Sequence, residues 1–444
     1  MARKYLIETF GCQMNVHDSE RMAGLLEQAG YESTDDAADA DLVVINTCSV
    51  RERAEEKLYT RLGELRQLGL EQGDDRVVAV TGCVAQQEGE TLFKRSAGVA
   101  NIVVGTQAIR RLPMLVEQAD SSAQVIDINP YDDVTWALGV TRRSDLAKAY
   151  VNIIEGCNEF CSFCVVPYTR GHERMRPKHD ILAEVREAAE SGRREVQLLG
   201  QIVNHYEAPD DPGCDFTGLL EAVHDVEGIA RIRFASPHPR HFDERFLEAM
   251  SRLPKVCRYL HLPVQSGSTR VLERMRRRYS RESYLALVER IRTLLPDVAL
   301  STDMIVGFPG ESDEDFAETL SLTRAVGYHS MFSFKYSARP NTLANQRYPD
   351  DVPEEEKTRR IVALQALQRE IQGSLNAQLV GQTLDVLVDA ASRRRETELS
   401  GRTSGNVVVN LPGPPDRIGQ MRAVRVERAG PHSVWGIDTG AVGA

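Results

Sequence analysis

Apolar positions along this chain come in short runs that alternate with amphipathic stretches. Residues 5–10, 42–46, 76–80 and 102–104 are rich in Val, Ile and Leu and read as strands. A helix that Asp18 or Ser19 can cap runs to Ala29, and a second amphipathic helix spans about 51–68. This alternation predicts an α/β unit over residues 1–120, a parallel sheet covered by helices. An irregular stretch at 130–144 makes 121–144 a linker. The alternation then resumes, with strands at 149–154, 195–199, 231–235, 259–262, 300–306 and 331–336. Six such units predict a partial (β/α)6 barrel within 145–373, with its chemistry at the C-terminal ends of the strands. A helical segment at 353–372 leads to short strands at 383–388, 407–410 and 421–426, separated by Gly, Pro and Asn turns. Residues 374–444 therefore suit a small β-barrel, of which the oligonucleotide-binding type is one common outcome.

Composition adds bounds rather than an answer. The 444 residues are enough for several domains, each with its own core. Hydrophobic residues make up 42% and charged residues 27%, ordinary for a soluble globular protein. No apolar run approaches the roughly 18 residues of a membrane helix. The first residues enter a strand with no signal-peptide core, so a cytoplasmic protein without a membrane partner is expected. In that compartment eight cysteines serve as ligands or core residues rather than disulfides. A net charge of −11 argues against general attraction to nucleic acid. Two segments run against it. Residues 374–444 hold eight Arg against seven acidic residues, and Arg270, Arg274, Arg276, Arg277, Arg278 and Arg281 form a basic cluster. The expectation for that cluster is a solvated helix face, with polyanion binding as a local property only.

Two cysteine patterns change the picture. Cys157-x-x-x-Cys161-x-x-Cys164 puts three thiols in one short loop after a strand, which suits an iron–sulfur cluster or zinc. A cubane held by three thiolates leaves one iron open to a small molecule. Cys12, Cys48 and Cys83 are spaced by 36 and 35 residues, one strand–helix unit each. Each falls just past a parallel strand, at the sheet edge where ligands gather, and Gly11, Thr47 and Gly82 beside them leave room for close approach. Val306-Gly307 ends a strand and opens the turn 307–311. Gln201, Ser236, His238 and Gln265 follow other barrel strands, so these positions are candidate cofactor or substrate contacts. Cys214 and Cys257 have no partner at ligand spacing and are expected to pack as small apolar residues. No Walker lysine loop, H-E-x-x-H or Ser-His-Asp pattern is present.

With these strings in hand, the chain resembles the radical S-adenosylmethionine (radical SAM) methylthiotransferases over nearly its whole length. The resemblance rests on Thr9-Phe10-Gly11-Cys12-Gln13-Met14-Asn15 and on Cys164-Val165-Val166-Pro167-Tyr168-Thr169-Arg170-Gly171. His261-Leu262-Pro263-Val264-Gln265-Ser266-Gly267 and Glu398-Leu399-Ser400-Gly401-Arg402-Thr403 add to it. Ile202 and Met175 depart from the family pattern and bear on local substrate contacts.

The resemblance implies an N-terminal methylthiotransferase domain, a radical SAM core and a TRAM barrel that binds RNA. It implies two 4Fe-4S clusters, on Cys157/Cys161/Cys164 and Cys12/Cys48/Cys83, with S-adenosylmethionine at the first. Gln201, Ser236, Gln265, Val306 and Gly307 would contact that cofactor, and no side chain is assigned as acid or base. The reaction it implies places a methylthio group on C2 of N6-isopentenyladenosine beside the anticodon of tRNA. An aromatic C–H offers no acidic proton, so a cofactor-derived radical must do that work. Arg393, Arg394, Arg395 and Arg402 would hold phosphates of the anticodon stem-loop. A flavodoxin or ferredoxin as electron donor, a monomeric state and oxygen sensitivity complete the expectation. Sibling enzymes act on a ribosomal-protein aspartate or on threonylcarbamoyladenosine, and Gln13-Met14 with 403–406 favours the isopentenyl substrate. A non-catalytic iron–sulfur RNA-binding protein is the alternative of another class.

Overall fold

The computed structural model describes residues 2–49, 52–72, 76–119, 124–129, 141–392, 395 and 397–442. The first unit is built on β1 (Lys4–Phe10), β2 (Glu32–Ser33), β3 (Leu42–Thr47), β4 (Val77–Gly82), β5 (Ile102–Val104) and β6 (Val125–Asp127). These form one parallel sheet in the order β2-β1-β3-β4-β5-β6. Every residue of β3 is buried, because helices cover both faces. Val43 and Ile45 meet Leu58, Leu62 and Leu65 on one side, while Leu42 and Val44 meet Met22 and Leu26 on the other. The sequence predicts four of these six strands; β2 and β6, two and three residues long, are too short to show a period. The first helix, Gln13–Gln28, starts five residues before the expected Asp18. Cys12 occupies its N-cap, with Asn15 Oδ1 accepting from the Cys12 backbone N–H at 3.3 Å.

The second unit contains β7 (Lys148–Asn152), β8 (Ile154–Glu155), β9 (Arg174–Met175), β10 (Glu195–Leu199), β11 (Arg231–Phe234), β12 (Tyr259–His261), β13 (Ala299–Val306) and β14 (Ser330–Lys335). Strands β7-β10-β11 and β12-β13-β14 form two parallel arcs, joined by a bridge between Ile232 and Val256. Six parallel strands in a partial barrel is the predicted architecture. The predicted strand 149–154 is split: β8 leaves the barrel to pair antiparallel with β9. Val151, Leu198, Ile232, Leu260 and Leu300 share one core with Ile181, Leu219, Leu287 and Phe316. Only residues 141–144 of the irregular stretch 130–144 are described. There Arg143 pairs with Glu184 and Glu187 at 3.0 Å each, which fastens the chain to the barrel.

A helix Glu354–Ala377 leads into β15 (Thr383–Ala391), β16 (Glu398–Thr403), β17 (Val408–Pro412), β18 (Met421–Ala429) and β19 (Val434–Ala441). These close into a barrel in the order β15-β16-β17-β19-β18. Two of the five, β16 and β19, were not expected as strands, and both carry a glycine that interrupts the apolar pattern. A Cβ at Gly401 would stand 2.5 Å from Leu387 O and one at Gly436 2.3 Å from Arg425 O, so the glycines allow the close approach that shuts the barrel. The β-barrel docks on β11. Arg231 donates to Asp385 O at 2.7 Å, and Arg233 to Thr403 O at 2.6 Å and Ser404 O at 3.0 Å. Among the described residues no helix is long and apolar enough to cross a membrane.

Candidate functional site

The strand register explains how three distant cysteines meet. Phe10 pairs with Thr47 and Thr47 with Gly82, so Cys12, Cys48 and Cys83 leave three adjacent strands at the same sheet edge. Cys48 hydrogen-bonds to both Cys12 and Cys83. That bond lowers Cys12 to about 6 and Cys83 to about 7, against burial and with help from the positive charge of Arg170. Cys48, buried between these two thiols, is pushed up. Beneath the thiols lies a buried amide pair: Asn15 Nδ2 donates to Asn46 Oδ1 at 3.0 Å, and Asn46 Nδ2 returns to Asn15 O at 2.8 Å. Gly82 takes φ +90°, and a Cβ there would stand 2.4 Å from Asn46 Oδ1.

The second thiol set lies in the loop between β8 and the helix Val166–Thr169. Gly156 opens it at φ +78°, and a Cβ there would be 2.1 Å from His172 O. Cys157 N–H donates to Gly171 O at 3.2 Å and Cys164 N–H to Cys161 O at 3.0 Å, which folds the loop back on itself. Burial pushes the thiols of Cys157 and Cys164 up to about 12. Such thiols become thiolates when a metal supplies compensating charge. Cys161 Sγ accepts from Arg277 Nη1 at 3.3 Å.

The two sets are tied through Arg170, six residues after Cys164. Its guanidinium, 2% exposed, donates to Asp18 Oδ2 at 2.6 Å and Glu155 Oε1 at 3.1 Å. Asp18 belongs to the helix that Cys12 caps, and Glu155 is two residues before Cys157. All eight cysteines are free. Among the described residues no group of three or more His, Cys, Asp or Glu side chains is arranged to hold a metal ion as it stands. The donor chemistry of both sets, three free thiols each, with glycines beside Cys12, Cys83 and Cys157, fits iron–sulfur clusters.

At the barrel rim, Gln201 and Ser236 follow the ends of the neighbouring strands β10 and β11. Ser236 (φ 56°) and Gln265 (φ 78°) are left-handed, a strained state for such residues that recurs at ligand sites. Gln265 bridges to Met304, so it sits beside the strand that ends in Val306 and Gly307. Val306 packs in the core, its carbonyl accepting from Tyr336 N–H at 2.9 Å, and Gly307 N–H donates to Glu311 Oε1 at 2.8 Å. His238 Nε2 and both amide atoms of Asn152 are buried with no hydrogen-bond partner, so the rim offers polar groups to a ligand. Cys257 is buried and Cys214 packs beside the barrel core, as expected.

Arg393 and Arg394 lie outside the described residues. Arg395 is exposed and pairs with Glu398 at 2.8 Å, whereas Arg402 is held by Asp389 at 3.4 Å and Asn406 at 3.2 Å. The basic cluster is mixed: Arg270, Arg276 and Arg278 are exposed, as a solvated face requires, and Arg277 is buried. Arg270 pairs with Asp315, Arg274 donates to Pro309 O at 3.1 Å, Arg281 donates to Gly267 O at 3.0 Å, and Arg277 is buried against Cys161. The sequence names Arg170 only within a motif string and Arg277 only within the basic cluster, and gives neither of them, nor Asn152, a place at the site. A buried arginine and an exposed one carry the same letter, and only the packing separates them.

Three family models match the chain in order: Uncharacterized protein family UPF0004 over residues 4–105, the Radical SAM superfamily over 151–323 and the TRAM domain over 377–437. A tRNA-2-methylthio-N(6)-dimethylallyladenosine synthase from Bordetella petrii is 46% identical over 98% of this chain and 91% of its own length. The chain belongs to the tRNA-2-methylthio-N(6)-dimethylallyladenosine synthase family. Synthases of the same name from Burkholderia ambifaria, at 44% identity over 98% of this chain and 97% of theirs, and Neisseria gonorrhoeae, at 42% over 98% and 99%, agree. The radical SAM methyltransferase TsrM from Kitasatospora setae shares the fold, with a TM-score of 0.55 at 17% identity over 78% of this chain and 77% of that one. Membership of this synthase family and the radical SAM domain make the chain an enzyme of the radical SAM class, as the resemblance implied.

Proposed function

We propose that this chain methylthiolates C2 of N6-dimethylallyladenosine beside the anticodon of tRNA. The observation that carries the reading is the pair of thiol sets, one at the end of each parallel α/β unit, joined through the buried Arg170. Near-full-length identity to synthases named for this product supports it. Cys157, Cys161 and Cys164 would hold one 4Fe-4S cluster with S-adenosylmethionine, and Cys12, Cys48 and Cys83 a second. When bound, these groups supply a carbon-centred radical, the sulfur and the methyl group.

The chain's own share is binding, orientation and exclusion of water. Gln201, Ser236, Gln265, Val306 and Gly307 are assigned to the cofactor, with His238 and Asn152 added on the strength of their unpaired buried atoms. Residues 1–120 carry the thiols of the cluster through which sulfur is supplied, 145–373 the radical core and 374–444 the RNA-binding barrel, with 121–144 linking the first two. Arg393, Arg394, Arg395 and Arg402 are assigned to tRNA phosphates, and the anticodon stem-loop is the partner because an unpaired base leaves its stack at low cost. A monomer in the cytoplasm, reduced by a flavodoxin or ferredoxin, completes the reading.

The test is anaerobic turnover of the reconstituted, reduced protein with S-adenosylmethionine and tRNA bearing dimethylallyladenosine, read by nucleoside mass spectrometry. A methylthio mass gain is expected. Cys12→Ala abolishes that product and spares 5′-deoxyadenosine, whereas Cys157→Ala abolishes both. Cofactor cleavage with no change in the tRNA would move the substrate to a sibling enzyme. No cleavage in protein that retains iron and sulfide would sink the enzymatic reading.

A further inference from the structure

Arg277 is wholly enclosed, and each of its nitrogens has a partner. Nη1 donates to Cys161 Sγ at 3.3 Å, Nη2 to Pro263 O at 2.9 Å and Nε to Tyr279 Oη at 2.8 Å. Tyr279 is itself fixed, its one hydroxyl proton shared between Pro263 O at 3.1 Å and Val264 O at 3.0 Å, with its ring against His238. The residues on either side of Arg277 are both left-handed: Arg276 at φ 58° and Arg278 at φ 59°. Arginine gains nothing from that backbone state by itself, so the turn persists because it aims the intervening side chain inward. The cysteine loop is docked on the same turn. Ser162, next to Cys161, donates its N–H to Met275 O at 3.0 Å and its hydroxyl to Arg274 O at 2.8 Å. An arginine guanidinium cannot be deprotonated in a protein, so the enclosed group is a cation.

We propose that Arg277 is a positioning residue that raises the reduction potential of the iron–sulfur cluster held by Cys157, Cys161 and Cys164. This rests on the reading of those cysteines as a cluster site. Adding one electron from a reductant makes the cluster more negative by one charge, with no bond made or broken. A cation hydrogen-bonded to a ligand sulfur in a dry site stabilises that state more than the oxidised one. Glutamine at this position keeps N–H donors and loses the charge. Lysine keeps the charge and loses the fork that reaches the sulfur, Pro263 and Tyr279 together.

The experiment is an EPR-monitored redox titration of the reconstituted full-length chain carrying Cys12→Ala, Cys48→Ala and Cys83→Ala, so that only the loop thiols load. Arg277→Gln is expected to shift the reduction equilibrium about tenfold toward the oxidised state, a midpoint lower by about 59 mV. Arg277→Lys should fall between parent and Gln. Tyr279→Phe, which removes the acceptor that fixes Nε, should move the midpoint the same way by less. Unchanged midpoints with full iron content in Arg277→Gln and Tyr279→Phe would overturn the proposal. Equal loss of iron from Arg277→Gln and Arg277→Lys, with Tyr279→Phe at the parent midpoint, would also overturn it and leave the guanidinium a loop tie. A parent chain that takes up no iron at all fails the cluster reading instead.

Discussion

Replacing Arg170 by methionine tests whether a buried ionic triad holds the two thiol-bearing units together. Methionine fills comparable space and removes the charge. The arginine is 2% exposed, and its two carboxylate partners, Asp18 and Glu155, are equally enclosed. Without the cation at least one carboxylate stays buried and unpaired, which costs about 3–5 kcal/mol. With two acceptors stranded, at 2.6 and 3.1 Å in the parent, the upper end of that range is expected. Urea unfolding of the apo protein, followed by circular dichroism, gives the loss directly. Combining Arg170→Met with Asp18→Asn removes one stranded charge, so the double variant should lose less than the two single variants summed, by about 1–3 kcal/mol. A loss below about 1 kcal/mol for Arg170→Met, or strict additivity, would refute the argument that the triad acts as a unit.

Burial raises the Glu20 carboxyl to about 7 from 4.5, so the folded chain holds that proton more tightly than the unfolded one. Its favourable contribution is complete below the unfolded value and is lost as the pH rises to about 7, at about 1.4 kcal/mol per unit. Glu20→Gln should therefore gain on the parent by about 2–3 kcal/mol between pH 5 and 8; parallel urea-stability profiles would rule this out. Gly82→Ala forces a Cβ onto Asn46 at 2.4 Å and Thr47 O at 2.6 Å in a left-handed turn. Reconstituted Gly82→Ala should lose the iron assigned to Cys12, Cys48 and Cys83 and keep that of the loop thiols, a result read by iron and sulfide analysis. Arg233→Ala removes the bonds to Thr403 O and Ser404 O and leaves Glu195, 2.9 Å from Arg233 Nε, without its partner. Limited proteolysis should then release the C-terminal barrel at a rate the parent does not show.

The cysteines were legible because their spacing repeats the strand–helix unit. A separation of 36 and then 35 residues returns the chain to the same sheet edge, and the register of Phe10, Thr47 and Gly82 bears that out. The six barrel strands were legible from a related signal, short stretches rich in or alternating with apolar residues, such as Arg231-Ile232-Arg233-Phe234, set between helical stretches. Strand β16 was not, because Ser400, Gly401 and Arg402 break its alternation, and its place comes from pairing with β15 and β17. The early start of the first helix was missed because cysteine is a poor sign of an N-cap. The arginine cluster was legible in part, with Arg270, Arg276 and Arg278 exposed as expected and Arg277 buried. Helical spacing suggested a wet face, but the helix Thr269–Arg274 ends within it, and the left-handed turn that follows buries Arg277. Nothing local in the sequence marks that turn, since neither position is a glycine.

The two thiol sets differ in how much of the chain must be in place before they exist. Cys157, Cys161 and Cys164 lie within eight residues, so only a short loop has to close to bring them together. Cys12, Cys48 and Cys83 span 72 residues and converge only when β1, β3 and β4 have paired in register. Long-range parallel pairing is the slow part of building such a sheet. On a refolding chain the loop thiols therefore gather over a short contour, while the sheet-edge thiols wait for their domain. Gathering of the two thiol sets during refolding has a built-in order, set by contact range and not by any difference in the cysteines themselves.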